Sequence, residues 1–241
     1  MAVGLSCGAS PGEVTGRTRP PNIVFVLSDN QRSDFMGCSG HPFVLTPHLD
    51  RLAEEGILFT HAFVTTSLCS PSRASFLTGQ TARTHGVRDN LTPWNEESLT
   101  FLELLGEEGY DSAFIGKWHM PGRLPRLRGV DLFVTFTIQK GQGRYFNCPL
   151  VVNGVETPSR KSYITEELTD YAIEFISRPR KDPFCLVLSH KAVHHRWLPP
   201  PDLAGMYATR TPPFPPEYHP LVFITGGNLF EGLIGRPDEL Y

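Results

Sequence analysis

The hydrophobic positions of this chain form short apolar runs that alternate with segments of helical periodicity. Four runs predict strands, at residues 22–28, 57–63, 110–115 and 184–188. The first and the last are nearly continuous, which is typical of strands buried on both faces. The alternation of strands with helical segments predicts an α/β domain in which helices sandwich a mainly parallel sheet.

Capping signals mark the helices between these runs. Thr46-Pro47 predicts a helix start, and residues 72–78 predict a shorter helix. Thr100 and Glu103 have the spacing of a capping box, and Thr165 is the predicted N-cap of the last helix.

Less regular segments divide the chain into three parts. Residues 117–160 are rich in glycine, arginine and aromatic residues, and we expect loops there with a hairpin turn at Asn153-Gly154. Proline clusters dominate the C-terminal part. We therefore predict a flexible segment at 1–20, a folded α/β domain at 21–205 and an irregular tail at 206–241.

Composition excludes several classes of function. The chain has 22 Lys and Arg against 25 Asp and Glu, so no basic excess suggests a nucleic acid partner. No apolar run approaches a membrane span, and the five cysteines contain no Cys-x-x-Cys pair for zinc or dithiol chemistry. The N-terminus shows no secretory signal, so a cytoplasmic location is the default expectation.

Polar residues follow each of the four predicted strands. In chain order they are Asp29 and Asn30, Cys69 and Arg73, Lys117 and His119, and His190 to His195. Strand ends of an open parallel sheet gather at one edge, where ligand sites form. Each residue alone has an ordinary structural interpretation, since most cysteines are inert and most basic residues lie at the surface. Their joint placement predicts one composite site.

The segment 69–79, with Cys69-x-Pro-x-Arg73 followed by Thr78-Gly79, resembles the signature of the sulfatase family. Four further segments are similar to family elements and occur in the same order, at residues 28–32, 46–53, 116–119 and 189–194. The resemblance covers residues 21–201. It implies an alkaline-phosphatase-like fold that is incomplete here, so that 21–205 would be part of a catalytic domain.

The resemblance implies a sulfuric ester hydrolase in which a formylglycine-generating enzyme oxidises Cys69 to formylglycine. A thiol would be trapped as a thiosulfate, whereas one hydroxyl of the hydrated aldehyde can attack sulfur and the second can then drive sulfate out. A divalent metal, calcium by resemblance, would be held by Asp29, Asn30 and position 69. The expected substrate is a sulfate ester, with sulfated carbohydrate as the expected class.

The resemblance also assigns roles to four basic residues. Arg73 would hold the hydrate and Lys117 would stabilise charge on the transferring group. His119 would act on the hydrate as acid or base, and His194 would bind sulfate or protonate the leaving oxygen.

Two features depart from the family pattern. Asn30 stands where the family usually has a second aspartate. A later Thr-Ser-Asp-x-Gly-like element, which supplies further metal ligands in the family, is not found; residues 223–228 have a similar outline, with Asn228 as a weak candidate ligand. We therefore expect little or no turnover from this chain.

Two alternatives stay open. A hydrolase of phosphate diesters or phosphonates would share the fold, although a plain phosphatase would place Ser or Thr at position 69. A non-catalytic sulfatase-like protein that binds sulfated glycans is the second alternative.

Overall fold

The computed structural model describes residues 2–4 and 19–211. Its strands are β1 (Ala2–Gly4), β2 (Ile23–Leu27), β3 (Ile57–Phe59), β4 (Asp111–Gly116), β5 (Leu132–Thr135), β6 (Leu150–Val152), β7 (Val155–Thr157) and β8 (Phe184–Ser189). Its helices are α1 (Pro47–Glu55), α2 (Cys69–Thr78), α3 (Ala82–His85), α4 (Phe101–Glu107) and α5 (Ile164–Ile176).

Six of these strands form the main sheet, in the order β2-β8-β4-β5-β6-β7. The first four of that order are parallel to one another, and β6 and β7 complete the sheet as antiparallel strands. The predicted mainly parallel α/β sheet is therefore confirmed. The hairpin turn at Asn153-Gly154 is also confirmed, because it joins β6 to β7.

Each face of the sheet packs against helices. On one face, α5 buries Ile164, Leu168 and Phe175 against the strands. On the other face, Ala74 and Leu77 of α2 pack in a cluster with Leu102 of α4. Burying one such large apolar side chain contributes about 1.5–3 kcal/mol, so the two clusters hold the strand ends in fixed positions.

The sequence prediction was wrong for the strand that precedes Cys69. Only Ile57–Phe59 of the predicted 57–63 run is a strand, and it pairs with β1 instead of joining the main sheet. β1 lies within residues 1–20, the N-terminal segment of the predicted division. The short run exposes Ile57 and Phe59, which is the wrong pattern for a buried central strand.

Three local predictions also need correction. The last helix begins at Ile164 after the extended residue Tyr163, so Thr165 lies inside its first turn and is not its N-cap. β5 lies in the stretch predicted to be loops. β2 is not buried on both faces, since Val24 and Val26 are 49% and 59% exposed.

The helix predicted from Thr100 is confirmed. The Thr100 side chain accepts a hydrogen bond from the backbone N–H of Glu103, as expected of an N-cap. The Glu103 carboxylate pairs with Arg128.

The chain divides into two units, Met1–Leu198 and Pro199–Tyr241. In the second unit, residues 201–209 form successive turns, with Leu203 N–H bonded to the Pro200 carbonyl at 3.0 Å. Most of the predicted tail, including Asn228, lies outside the described residues. Within the described part of the chain, no helix is long and apolar enough to cross a membrane.

Candidate active site

The register of the sheet brings three strand ends to the same level. Ser189 at the end of β8 pairs with Leu27 of β2 on one side and with Gly116 of β4 on the other. Backbone bonds continue past the strands, from Lys117 N–H to the Ser189 carbonyl at 2.7 Å and from His190 N–H to the Leu27 carbonyl at 2.9 Å. The residues that follow the three strands therefore meet at one edge.

Gly116 is required where β4 leaves the sheet. Its φ is 119°, a value that other residues rarely adopt, and a Cβ there would collide with the Ser189 carbonyl oxygen. Glycine at this position lets β4 run close to β8 and delivers Lys117 into the site.

Helix α2 supplies two of the predicted site residues from one face. Cys69 is its first residue and Arg73 follows one turn later, so both side chains point the same way. Asn90 Oδ1 accepts the backbone N–H of Ser70 at 3.0 Å, which caps the start of the helix from a neighbouring loop. Arg73 crosses to the sheet and donates to the Lys117 carbonyl at 2.7 Å.

A buried charge cluster links these elements. Asp29 Oδ2 lies 2.5 Å from Lys117 Nζ and 3.2 Å from Arg73 Nη2. The three side chains are at most 7% exposed. Burial by itself raises the pKa of Asp29, but the charges of Arg73 and Lys117 outweigh burial and hold that pKa below its ordinary value. Asp29 is therefore ionised at neutral pH.

The Lys117 ammonium group points at position 69. Besides Asp29, it donates to Gln142 Oε1 at 2.6 Å and lies 3.9 Å from Cys69 Sγ. An ammonium group has three protons, and these three partners account for them. Gln142 thus helps to aim Lys117 at the predicted nucleophile.

The two predicted histidines flank this cluster in neutral form. Burial, with the charges of Lys117 and Arg73 added, lowers the pKa of His119 to about 3. Burial also lowers the pKa of His194, whose Nδ1 donates to the His195 carbonyl at 2.8 Å. The Nδ1 proton leaves Nε2 of neutral His194 with the lone pair.

One ring nitrogen of His194, a carboxylate oxygen of Asp29 and Cys69 Sγ all lie within 4.8 Å of one another. Residues that are 165 positions apart in the sequence, from Asp29 to His194, thus face the same small space. Polar groups that converge in this way at the carboxyl edge of a parallel sheet are characteristic of a ligand site.

The sequence profile of the family described as Sulfatase matches residues 21–221. The chain belongs to the sulfatase family. A curated sulfatase relative, N-acetylglucosamine-6-O-sulfatase of Bacteroides thetaiotaomicron, is 34% identical over 236 residues, which are 98% of this chain and 39% of the relative. Arylsulfatase A of Homo sapiens is 42% identical over 136 residues, covering 52% of this chain and 27% of the relative.

The likeness to sulfatases extends to structure. A solved structure of a protein in complex with its substrate, D-glucosamine-2-N,6-O-disulfate, matches with a TM-score of 0.76 and 36% identity. The match covers 81% of this chain and 39% of that chain. This sulfatase chain therefore has part of the alkaline-phosphatase-like fold, and it spans 39% of the length of both the N-acetylglucosamine-6-O-sulfatase and this solved chain.

Two neighbouring residues of this sulfatase chain, Asp29 and Asn30, offer oxygen donors that a divalent metal could use. Asp29 Oδ1 has no hydrogen-bond partner among residues 19–211, so it is available to a cation while Oδ2 holds the basic residues. Asn30 follows with an exposed side chain and a left-handed φ of 59°. Oxygen donors fit a hard cation such as calcium, although calcium sites use about six to eight oxygens and these two residues supply fewer.

Sequence reasoning about this sulfatase chain missed three residues that support the site. Gln142 lies in a glycine-rich stretch without periodicity, where no signal marked it. Ser189 accepts a hydrogen bond from Arg73 and donates to the Lys117 carbonyl at 3.0 Å. Lys191 is 4% exposed beside the site. Ser189 and Lys191 lie within the segment 189–194 that resembles a family element, but the resemblance assigned a role only to His194.

Proposed function

We propose that this chain provides the nucleophile-bearing part of a sulfuric ester hydrolase, with Cys69 as the precursor of the nucleophile. The observation that carries the proposal is the convergence of Cys69, Arg73 and Lys117 around one buried carboxylate, Asp29. Membership of the sulfatase family supports the same reading of the site.

The basic residues would bind the anionic end of the substrate. Lys117 and Arg73 are buried, and fixed charges act more strongly in a site that excludes water. Lys117 is aimed at position 69, where negative charge develops on the transferring sulfuryl group. Arg73 would orient the group at position 69 from one turn along the same helix.

The histidines would contact the reacting groups in neutral form. Burial and the charges of Lys117 and Arg73 lower the pKa of His119 to about 3, so its ring is neutral at pH 7 and would be a hydrogen-bond partner of the group at position 69. His194 Nε2 would bind a sulfate oxygen or exchange a proton with the leaving oxygen, while the Nδ1 bond to the His195 carbonyl fixes the ring.

Two groups would complete the chemistry. Formylglycine at position 69 would supply a hydrated aldehyde as the nucleophile, and a divalent cation, proposed to be calcium, would polarise the sulfate ester. Asp29 and Asn30 are the residues of this chain that would hold the cation.

Sulfated carbohydrate is the proposed substrate class. The relative at 34% identity acts on N-acetylglucosamine-6-O-sulfate by its name, and the structural neighbour at 36% identity holds a sulfated glucosamine.

The modification of Cys69 is the first test. Trypsin releases the peptide from Leu52 to Arg73, because no Lys or Arg lies between Arg51 and Arg73. The chain is made in cells that contain the formylglycine-generating enzyme, together with an active sulfatase as a control. We expect the mass of an aldehyde at position 69; an intact thiol beside a converted control would reject this proposal.

The reaction is tested with paired substrates. Any sulfate-ester hydrolysis should be lost in Cys69→Ala and kept in Cys38→Ala, because Cys38 lies in the short 3-10 helix Gly37–Ser39 and is not a member of the charge cluster. Faster hydrolysis of an aryl phosphonate ester than of an aryl sulfate would favour the phosphonate hydrolase instead.

A further inference from the structure

Lys191 is a buried cation to which the proposed mechanism gives no task. It follows β8 by two residues and is 4% exposed. Its Nζ lies 5.1 Å from the centroid of the Tyr145 ring, and the Tyr145 hydroxyl donates to the His194 carbonyl at 2.6 Å. Packing therefore fixes Lys191 beside the segment that carries His194.

The ammonium group of Lys191 has no acceptor for its protons in the described part of the chain. Among residues 19–211, no carboxylate pairs with it, and its one defined contact is the Tyr145 ring. Burial lowers the pKa of Lys191, and repulsion from Lys117 lowers it further, while Asp29, Cys148 and Cys69 attract the ammonium group. The charge of Lys191 is therefore buried without a hydrogen-bonded counter-ion among residues 19–211.

The site as a whole has an excess of positive charge. Arg73, Lys117 and Lys191 are buried, whereas Asp29 pairs with Arg73 and Lys117 and attracts Lys191 only from a distance. A buried charge without a counter-ion destabilises a fold. Such an arrangement is retained at sites where binding or catalysis requires it. Buried cations in excess of the carboxylates that pair with them are suited to bind an oxyanion.

We propose that Lys191 is a further sulfate-binding residue of this site, with its ammonium group placed to donate to an oxygen of the substrate sulfate. This inference rests on the proposed function, because it assumes that the cluster around Asp29 binds sulfate. The cation–π contact with Tyr145 holds the side chain in place before the anion arrives.

The test uses Lys191→Met in the full 241-residue chain, because methionine keeps the apolar stem and removes the charge. Lys191→Arg keeps the charge. Lys161→Met is the control, since Lys161 is a surface residue paired with Asp170. Inorganic sulfate is titrated at constant ionic strength against chloride, and binding is measured by calorimetry and by the shift of the unfolding temperature.

Lys191→Met is expected to affect stability and sulfate binding differently. Without sulfate its unfolding temperature should equal or exceed that of the unchanged chain, because an unpaired buried charge has been removed. Its sulfate affinity should fall about tenfold, as for loss of one charge-assisted hydrogen bond. Lys191→Arg should keep its affinity within about threefold, and Lys161→Met should change neither quantity.

The outcomes separate this inference from the proposed function. If the unchanged chain binds sulfate and Lys191→Met binds it equally well, Lys191 is not a sulfate ligand although the proposed function stands. If Lys191→Met lowers the unfolding temperature in chloride and leaves the affinity unchanged, the residue is structural. If the unchanged chain binds no sulfate, both proposals fail.

Discussion

Strands β2 and β8 lie side by side in the sheet and both end at the site, yet their surroundings differ. All six residues of β8 are buried, because β8 has a strand on each side and helices over both faces. β2 is the edge strand of the described sheet, and its Val24 and Val26 are about half exposed. Both strands are nearly continuous apolar runs in the sequence.

The two strand ends are held in place by different kinds of contact. Lys117, His190 and Lys191 follow strands that are packed on both faces, whereas Asp29 follows the edge strand. Asp29 is fixed by bonds to the other side of the site, from its N–H to the Ala192 carbonyl at 2.8 Å and through its pairs with Lys117 and Arg73. We infer that polar contacts hold the β2 end and apolar packing holds the β8 end.

The largest effect is expected from Asp29→Asn, which tests the polar half of this comparison. The change leaves Lys117 and Arg73 buried without their carboxylate, and breaking such a cluster costs about 3–5 kcal/mol. Chemical denaturation of the 241-residue chain measures the loss of unfolding free energy. Glu96→Gln, which removes an exposed pair with Arg123, is the control and should cost less than about 1 kcal/mol. Equal effects of the two changes would show that the buried cluster does not stabilise the β2 end.

A smaller effect is expected from truncating the strands themselves. Leu186→Ala in β8 removes a fully buried side chain and should cost about 2–5 kcal/mol. Val24→Ala in β2 should cost less than about 1 kcal/mol, because that side chain is 49% exposed. A cost for Val24→Ala that matched Leu186→Ala in denaturation would contradict the exposed environment assigned to β2.

The pH dependence of stability probes the packed end. Burial lowers the pKa of His190 from 6.5 to about 4. The unfolded chain therefore takes up a proton on this ring before the folded chain does, and stability is lost as the pH falls from about 6.5 towards 4. Between pH 7 and 5 the unchanged chain should lose about 2 kcal/mol more than His190→Gln.

Denaturation at both pH values measures this difference, with His195→Gln as a control because its side chain is exposed. Parallel losses in the unchanged chain and in His190→Gln would mean that folding does not lower the pKa of His190.

The smallest effect is expected at the exposed face of β2. Val26→Thr keeps a β-branched shape suited to a strand and should change stability by no more than about 0.5 kcal/mol. Thermal unfolding is the measurement. A large destabilisation would show that another surface covers this face in solution.

The sequence by itself determined the parallel α/β plan and the residues of the candidate site. The apolar runs that became β2, β4 and β8 were long enough to identify, and the residues after them carried recognisable spacing. The segment 57–63 was read wrongly because an apolar run fixes neither the partner of a strand nor the sheet it joins. β5 was missed because four residues between loops give too little pattern.

Only the tertiary structure decided which charges meet and which strands are buried. β2 and β8 look alike in sequence, and their burial differs because one lies at an edge and the other between neighbours. Gln142, Ser189 and Lys191 entered the picture through hydrogen bonds and burial across the fold, between residues far apart in the chain. The pattern of a segment indicates only the periodicity of that segment. The electric field and the contacts at the site come from several segments, and only folding brings these together.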